Sequence, residues 1–242
     1  MKLFKHNCVC CGANQYDVAV VLWDTLIAEW ELNPQEAVYI DRQQGLHCQM
    51  CWSNFRSMAL AHAIMVSFSF SGTFTTFIQQ PHIQPLKVLE INEAGSLTKF
   101  LSKVPGHTFI KYPEFDMMNL PFADSTFDII THSDTLEHIP DPIAALSECC
   151  RLLKPGGRLA FTVPIVIDRL TRSRQGLPPS YHGYPDDERR FDFIVHTEYG
   201  ADIWKQVMQA GFAECRIIAL EYPAAIALIA IKDQYKIQIT VC

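Results

Sequence analysis

The sequence predicts an α/β fold: a mostly parallel sheet with helices on both faces, preceded by a small cysteine-rich segment. Three observations carry that prediction. From residue 86 onward, apolar β-branched runs alternate with helical stretches. Turn formers such as Pro155-Gly156-Gly157 punctuate the alternation. Residues 1–56 lack it, and they hold five of the nine cysteines.

The elements follow in order. Residues 58–70 read as an apolar helix and 71–85 as a Ser/Thr/Pro/Gln connector. Residues 86–91 form a first strand, 95–101 begin its helix, and 107–112 form a second strand. Residues 127–131 are an apolar, β-branched buried strand, with Ser133 and Asp134 polar at its carboxyl end, where open α/β sheets place their ligand crevice. Asp141 caps a helix with Pro142 in its first turn, and Pro155-Gly156-Gly157 stops it. Residues 158–163 are the next buried strand. An insertion rich in Arg, Pro, Gly and Tyr spans 167–190, and 197–210 read as a helix. Residues 214–220 and 225–232 close the chain as an antiparallel pair. The expected units are a cysteine-rich segment over 1–56, a helix and connector over 57–85, and an α/β domain over 86–242.

At 242 residues and 49% hydrophobic, the chain can bury one full core with a small appendage. A formal charge of −6, with no basic block, argues against nucleic acid as a partner. Met1-Lys-Leu-Phe-Lys-His shows no signal-peptide pattern, and apolar runs such as 224–231 are too short to span a bilayer. The expectation is a cytoplasmic protein without a membrane partner, whose cysteines are metal ligands or buried thiols rather than disulfides. Oligomeric state leaves no trace in the sequence.

Cys8-x-x-Cys11 and Cys48-x-x-Cys51 are two paired-thiolate hooks. Such a turn points two sulfurs at one centre, and two turns complete a tetrahedron around zinc. Gly12 suits the tight turn after the first hook, and Cys10 is a spare. Four thiolates close the coordination sphere, so the zinc would be structural rather than catalytic. The competing reading is a set of unrelated buried thiols. Arg56, just past the second hook, is expected to make a local salt bridge.

The run Phe127-Asp-Ile-Ile-Thr-His-Ser-Asp-Thr-Leu-Glu-His-Ile-Pro-Asp-Pro142 and the run Arg151-Leu-Leu-Lys-Pro-Gly-Gly-Arg-Leu-Ala-Phe-Thr-Val-Pro164 resemble the segments around strands four and five of the class I S-adenosylmethionine-dependent methyltransferases. The resemblance implies a Rossmann-like sheet and S-adenosylmethionine as cofactor. Only fourteen residues separate Tyr112 from Phe127, too few for a helix and a full strand, so edge strand three is expected to be reduced or missing.

The same resemblance assigns candidate contacts. Glu90 matches the acid that ends strand one, near the cofactor's amino group or ordering the following loop. That loop, Glu90-Ile-Asn-Glu-Ala-Gly95, has lost the family's alternating glycines. Gly95 stands as the last of them. Asn92 takes the first position, and asparagine tolerates positive φ. Asp116 and Met117, within Asp116-Met-Met-Asn-Leu-Pro-Phe122, resemble the residues that meet the adenine amino group and flank the ring. Glu114 is the nearest acid for the ribose hydroxyls. Ser133 and Asp134 lie beneath the reactive methyl. Three readings of the loop stay open: a reshaped working loop, weakened or lost cofactor binding, and a dinucleotide site. The absent G-x-G-x-x-G argues against the last.

Methyl transfer needs positioned partners and excluded water, and an oxygen nucleophile gains from a general base. His182 and His132 are the candidate bases, with His138 a third near strand four. Tyr181, Tyr184 and Arg172 are candidate substrate contacts in the insertion, which would form a lid; a purely structural loop is the competing reading. The expected enzyme methylates a small molecule, sugar or other metabolite, or a glycan-like acceptor. The alternative is a zinc-bearing protein that kept the methyltransferase fold for binding or scaffolding.

Overall fold

The computed structural model describes residues 6–181 and 190–234. The first strand, β1 (Tyr16–Val18), leads into two helices, α1 (Asp24–Glu29) and α2 (Pro34–Gly45). Asn33 starts α2 in a full capping box: its side chain accepts from the Gln35 and Glu36 amides, while the Glu36 carboxylate accepts from the Asn33 amide. β2 (Leu46–Cys48) then returns antiparallel to β1, setting Cys48 opposite Tyr16. The cysteine-rich segment therefore has strands of its own. α3 (Phe55–Ser67) starts under an Asn54 cap, three residues before the expected start. Its Phe55, Met58, Leu60 and Ile64 are all buried. The connector contains a further short helix, α4 (Phe74–Phe77), whose two phenylalanines both enter the core.

The main sheet follows. β3 (Lys87–Ile91) ends in a turn and a single 3₁₀ turn at Gly95–Leu97, then α5 (Thr98–Leu101) and β4 (Gly106–Ile110). β5 (Phe127–Ser133), α6 (Pro142–Leu152) and β6 (Leu153–Thr162) correspond to the quoted runs. β7 (Ile165–Val166), β8 (Arg172–Ser173) and β9 (Thr197–Gly200) form a small separate sheet in the order β7-β9-β8. α7 (Trp204–Gln209), β10 (Glu214–Glu221) and β11 (Ala225–Ile231) complete the described chain. The six-stranded order is β10-β11-β6-β5-β3-β4, with β4, β3, β5 and β6 parallel and β11 and β10 antiparallel. Among the described residues no strand intervenes between β4 and β5, so edge strand three is missing, as the spacing predicts.

Side chains alternate across the sheet. Val88, Ile129, Ala160 and Ile229 face α3, whereas Leu89, Ile130, Leu159 and Leu228 face α6 and α7. Thus α3 is one layer of the α/β domain. In a third core, Leu26, Trp30, Leu32 and Ile40 of the N-terminal segment pack on Val166 and Val195.

One expectation needs correction. The helix expected over 197–210 begins only at Trp204, because Thr197–Gly200 is strand β9, held between β7 and β8. Gly200 lets it approach: a Cβ there would lie 2.1 Å from the Arg169 carbonyl oxygen. The start of the insertion is tied to the N-terminal helices. Arg169 pairs with Glu36 at 2.6 Å and donates to the Trp30 and Glu31 carbonyls. No helix among the described residues is long and apolar enough to cross a membrane.

Candidate functional site

The carboxyl ends of β3 and β5 open onto a cavity of about 520 Å³. Its floor is the turn after β3. Asn92 sits there at φ +53°, in the left-handed region that few residues other than glycine accept. Its amide donates to the Ile110 carbonyl at 2.8 Å, its Oδ1 accepts from the Tyr112 amide at 3.0 Å, and its Nδ2 reaches Thr135 Oγ1 at 3.3 Å. The asparagine thus ties the ends of β3, β4 and β5 together.

Glu90 is fully buried below that turn and does not line the cavity. Its Oε1 accepts from the Ala94 amide at 2.8 Å and the Thr98 hydroxyl at 2.5 Å, and Oε2 lies 2.7 Å from His107 Nε2. Its task is to order the loop. Gly95, at φ +57°, is where α3 meets the loop: a Cβ would stand 2.3 Å from Ser57 Oγ.

On the opposite wall, Asp116 Oδ1 accepts from the Met118 amide at 2.8 Å, and Asp116 and Met117 both line the cavity. Arg151 fixes the continuation of this segment through the Leu120 and Phe122 carbonyls, Glu148 and Asp124. Ser133 and Asp134 line the cavity from the end of β5, with Ser133 Oγ 2.8 Å from Thr162 Oγ1.

The N-terminal region reaches this site. Arg56 pairs with the Asp134 carboxylate and donates to Gln44, whose Nε2 donates to Asp134 Oδ2 at 3.2 Å. Asp134 is held at φ +46°. Burial pulls the Arg56 pKa down to about 9 against the opposing charge of Glu137, and burial pushes Glu137 up to about 7. Ser57 Oγ accepts from the Ser96 amide at 3.0 Å and donates to Asn54 Oδ1 at 2.7 Å. Sequence reasoning placed Arg56 outside the helix and missed Gln44 and Ser57. The available signal was Asn54 as an N-cap, which puts Arg56 and Ser57 in the first turn.

The four hook sulfurs, of Cys8, Cys11, Cys48 and Cys51, lie within 4.8 Å of one another. Cys8 and Cys51 are 3.6 Å apart and Cys11 and Cys48 3.7 Å, close to the roughly 3.8 Å edge of a tetrahedron with Zn–S bonds of about 2.3 Å. Both hooks turn the same way. Gly12 takes φ +87° and donates its amide to the Cys8 carbonyl at 2.7 Å; Trp52 takes φ +56° and donates to the Cys48 carbonyl at 2.8 Å. Contacts with Cys10 and Cys51, together with burial, push the Cys8 thiol up, whereas the hydrogen bond from Cys8 pulls Cys51 down to about 4.

Other candidates lie elsewhere. His132 is fully buried and stacks on Phe161 with centroids 5.0 Å apart, on the sheet face away from α3; burial lowers its pKa to about 3. It does not line the cavity. Glu114 is exposed and outside the lining. The Arg172 guanidinium is committed to Glu198 at 2.5 Å and to Glu31 at 3.4 Å rather than open to an anion. Tyr181 bridges by backbone to Ile194, a lining residue, without lining the cavity itself. His182 and Tyr184 lie outside the described residues. The histidines that do line the cavity are His138 and His196. Because the Ile194 carbonyl can only accept, His138 Nδ1, 2.9 Å away, carries its proton, and a lone pair is left on Nε2. Burial lowers both histidine pKa values.

Residues 72–161 match the family described as methyltransferase domain. A demethylmenaquinone methyltransferase of Corynebacterium kroppenstedtii is 48% identical over 86 residues, 32% of this chain and 38% of that protein. A demethylmenaquinone methyltransferase of Corynebacterium glutamicum is 30% identical over 117 residues, 41% of this chain and 48% of that protein. A ubiquinone/menaquinone biosynthesis C-methyltransferase of Francisella philomiragia is 47% identical over 60 residues, 24% of each chain. The chain therefore matches less than half the length of these relatives. Among solved structures, an S-adenosylmethionine-dependent methyltransferase of Thermotoga maritima aligns over 74% of this chain and 90% of its own, at 17% identity and a TM-score of 0.41. Over residues 72–161, with the strand order β10-β11-β6-β5-β3-β4 and a cavity at the strand ends, this chain is similar to the methyltransferase domain of S-adenosylmethionine-dependent methyltransferases.

Proposed function

We propose that this protein transfers a methyl group from S-adenosylmethionine to a small-molecule acceptor, and that a structural zinc held by Cys8, Cys11, Cys48 and Cys51 braces the site. The observation that carries the reading is the Asn92 turn. A loop that has lost the family's glycines still adopts positive φ at Asn92 and Gly95, beside a cavity of about 520 Å³, a volume suited to a nucleoside-sized ligand. That supports a working cofactor site over the scaffold reading.

Bound S-adenosylmethionine supplies an electrophilic methyl on a sulfonium. The chain's residues hold and shield it. Asp116 offers a carboxylate for an exocyclic amine, and Met117 and Phe115 offer apolar surface for a ring. Asn92, Ser133 and Asp134 border the opposite end. His138, kept neutral by burial and standing on the cavity wall with Nε2 3.8 Å from Glu137 Oε1, is the candidate base for an acidic acceptor. The relatives' names support an acceptor of the quinone class.

The test is calorimetric titration with S-adenosylhomocysteine. Asp116→Ala should weaken binding about tenfold, the loss of one charge-assisted hydrogen bond, whereas Asp124→Ala should leave it unchanged, since Asp124 pairs with Arg151 and does not line the cavity. Absence of binding to the native protein refutes the reading.

A further inference from the structure

A second cavity, of about 250 Å³, adjoins the first. Asp134 lines both. The remaining wall is apolar and aromatic, lined by Trp23, Trp30, Leu26, Ile40 and Pro164 among others; Gln44 is the other polar side chain. Two of its backbone donors are already spent: the Val21 and Leu22 amides both donate to Asp41, at 2.7 and 2.8 Å. Trp30 Nε1 is likewise given to Ser180 Oγ at 3.1 Å. The pocket thus has an apolar body and a single acidic end. That end is not saturated. Arg56 and Gln44 hold Oδ2 of Asp134, Oδ1 makes no hydrogen bond among the described residues, and 25% of the side chain stays exposed. A non-glycine residue at φ +46° is strained, and such strain persists where surrounding structure enforces it.

We propose that this tryptophan-walled cavity is the methyl-acceptor site, and that it takes a flat, apolar ring compound presenting a hydroxyl or ring N–H to the Asp134 carboxylate. The inference rests on the methyltransferase reading. Geometry supplies the reason: in-line transfer needs the acceptor atom next to the cofactor's methyl, and Asp134 is the partition between the two cavities. The ring would pack on Trp23 and Trp30, and the donor group would order the reacting end. Apart from Asp134, the walls come from residues 21–44 and from Pro164, outside the matched stretch of 72–161.

The probe is 1-naphthol, with naphthalene as the analogue lacking the donor, titrated against the full chain saturated with S-adenosylhomocysteine and read by tryptophan fluorescence. The native protein should bind 1-naphthol about tenfold more tightly than naphthalene, the worth of one hydrogen bond to a charged group. Trp23→Ala should weaken 1-naphthol about fivefold or more, as loss of an aromatic contact, with S-adenosylhomocysteine affinity unchanged. Asp134→Asn should narrow the naphthol preference toward parity. Equal or absent binding of the two probes, an indifferent Trp23→Ala, or displacement of S-adenosylhomocysteine by 1-naphthol would overturn the assignment and leave the methyltransferase reading standing. Failure of S-adenosylhomocysteine itself to bind would remove both.

Discussion

Gly95→Ala tests how the proposed cofactor loop is built. The alanine Cβ would lie 2.3 Å from Ser57 Oγ, well inside van der Waals contact, at a backbone φ of +57°. The backbone term alone costs about 1–2 kcal/mol for an L-residue. Ser57 is fully buried and cannot yield without breaking its bonds to the Ser96 amide and to Asn54. Crowding of that kind adds about 1–3 kcal/mol. The sum, about 2–4 kcal/mol, corresponds to a fall in Tm of roughly 5–15 °C for a chain of this size. Ser57→Ala alone should cost about 1–3 kcal/mol by orphaning the Ser96 amide. The double variant separates the two causes. With Oγ gone the crowding is relieved, so the double should cost about 1–2 kcal/mol less than the sum of the singles. Urea unfolding of metal-replete protein measures all four corners. Strict additivity, or a Gly95→Ala cost under about 0.5 kcal/mol, would show that the loop does not rest on α3.

Two further outcomes are expected. Purified protein should carry about one zinc per chain, and Cys48→Ser should lower that content, the Tm and S-adenosylhomocysteine affinity together, because Cys51 is followed at once by the Asn54–Ser57–Ser96 chain of contacts; metal-free protein with native stability would end the zinc assignment. His132 stays neutral in the fold, with its pKa near 3 against 6.5 when unfolded, so below pH 6.5 the unfolded chain takes up a proton that the native state does not, and stability present above pH 6.5 is lost as pH falls toward 3. His132→Leu should flatten that slope by up to about 1.4 kcal/mol per pH unit, and should be near neutral at pH 8 because both ring nitrogens lack partners; an unchanged slope between pH 4 and 6.5 in denaturation series would contradict it.

What the sequence made legible was local. The parallel strands read from their β-branched runs, and the missing edge strand from a simple shortage of residues between Tyr112 and Phe127. The hooks read from spacing, and Asn92 from its tolerance of positive φ. What stayed hidden depends on distant partners. β9 looks helical alone and becomes a strand because β7 and β8 lie on either side of it. Arg56 finds its partner, Asp134, seventy-eight positions along the chain. The tryptophan-lined cavity needs helices from residues 24–45 to fold over the end of β6, a packing fixed by Val166 and Val195 rather than by any motif. His196 gains its place only through β9.

One helix, α3, carries the cap that follows the second hook and the serine that holds the cofactor loop. Linkage makes such an arrangement reciprocal. Whatever factor metal loss removes from cofactor affinity, bound cofactor must give back to the metal. The chain would then surrender zinc to a chelator more slowly when its nucleoside site is filled, and its two ligands would guard each other across a single turn of helix.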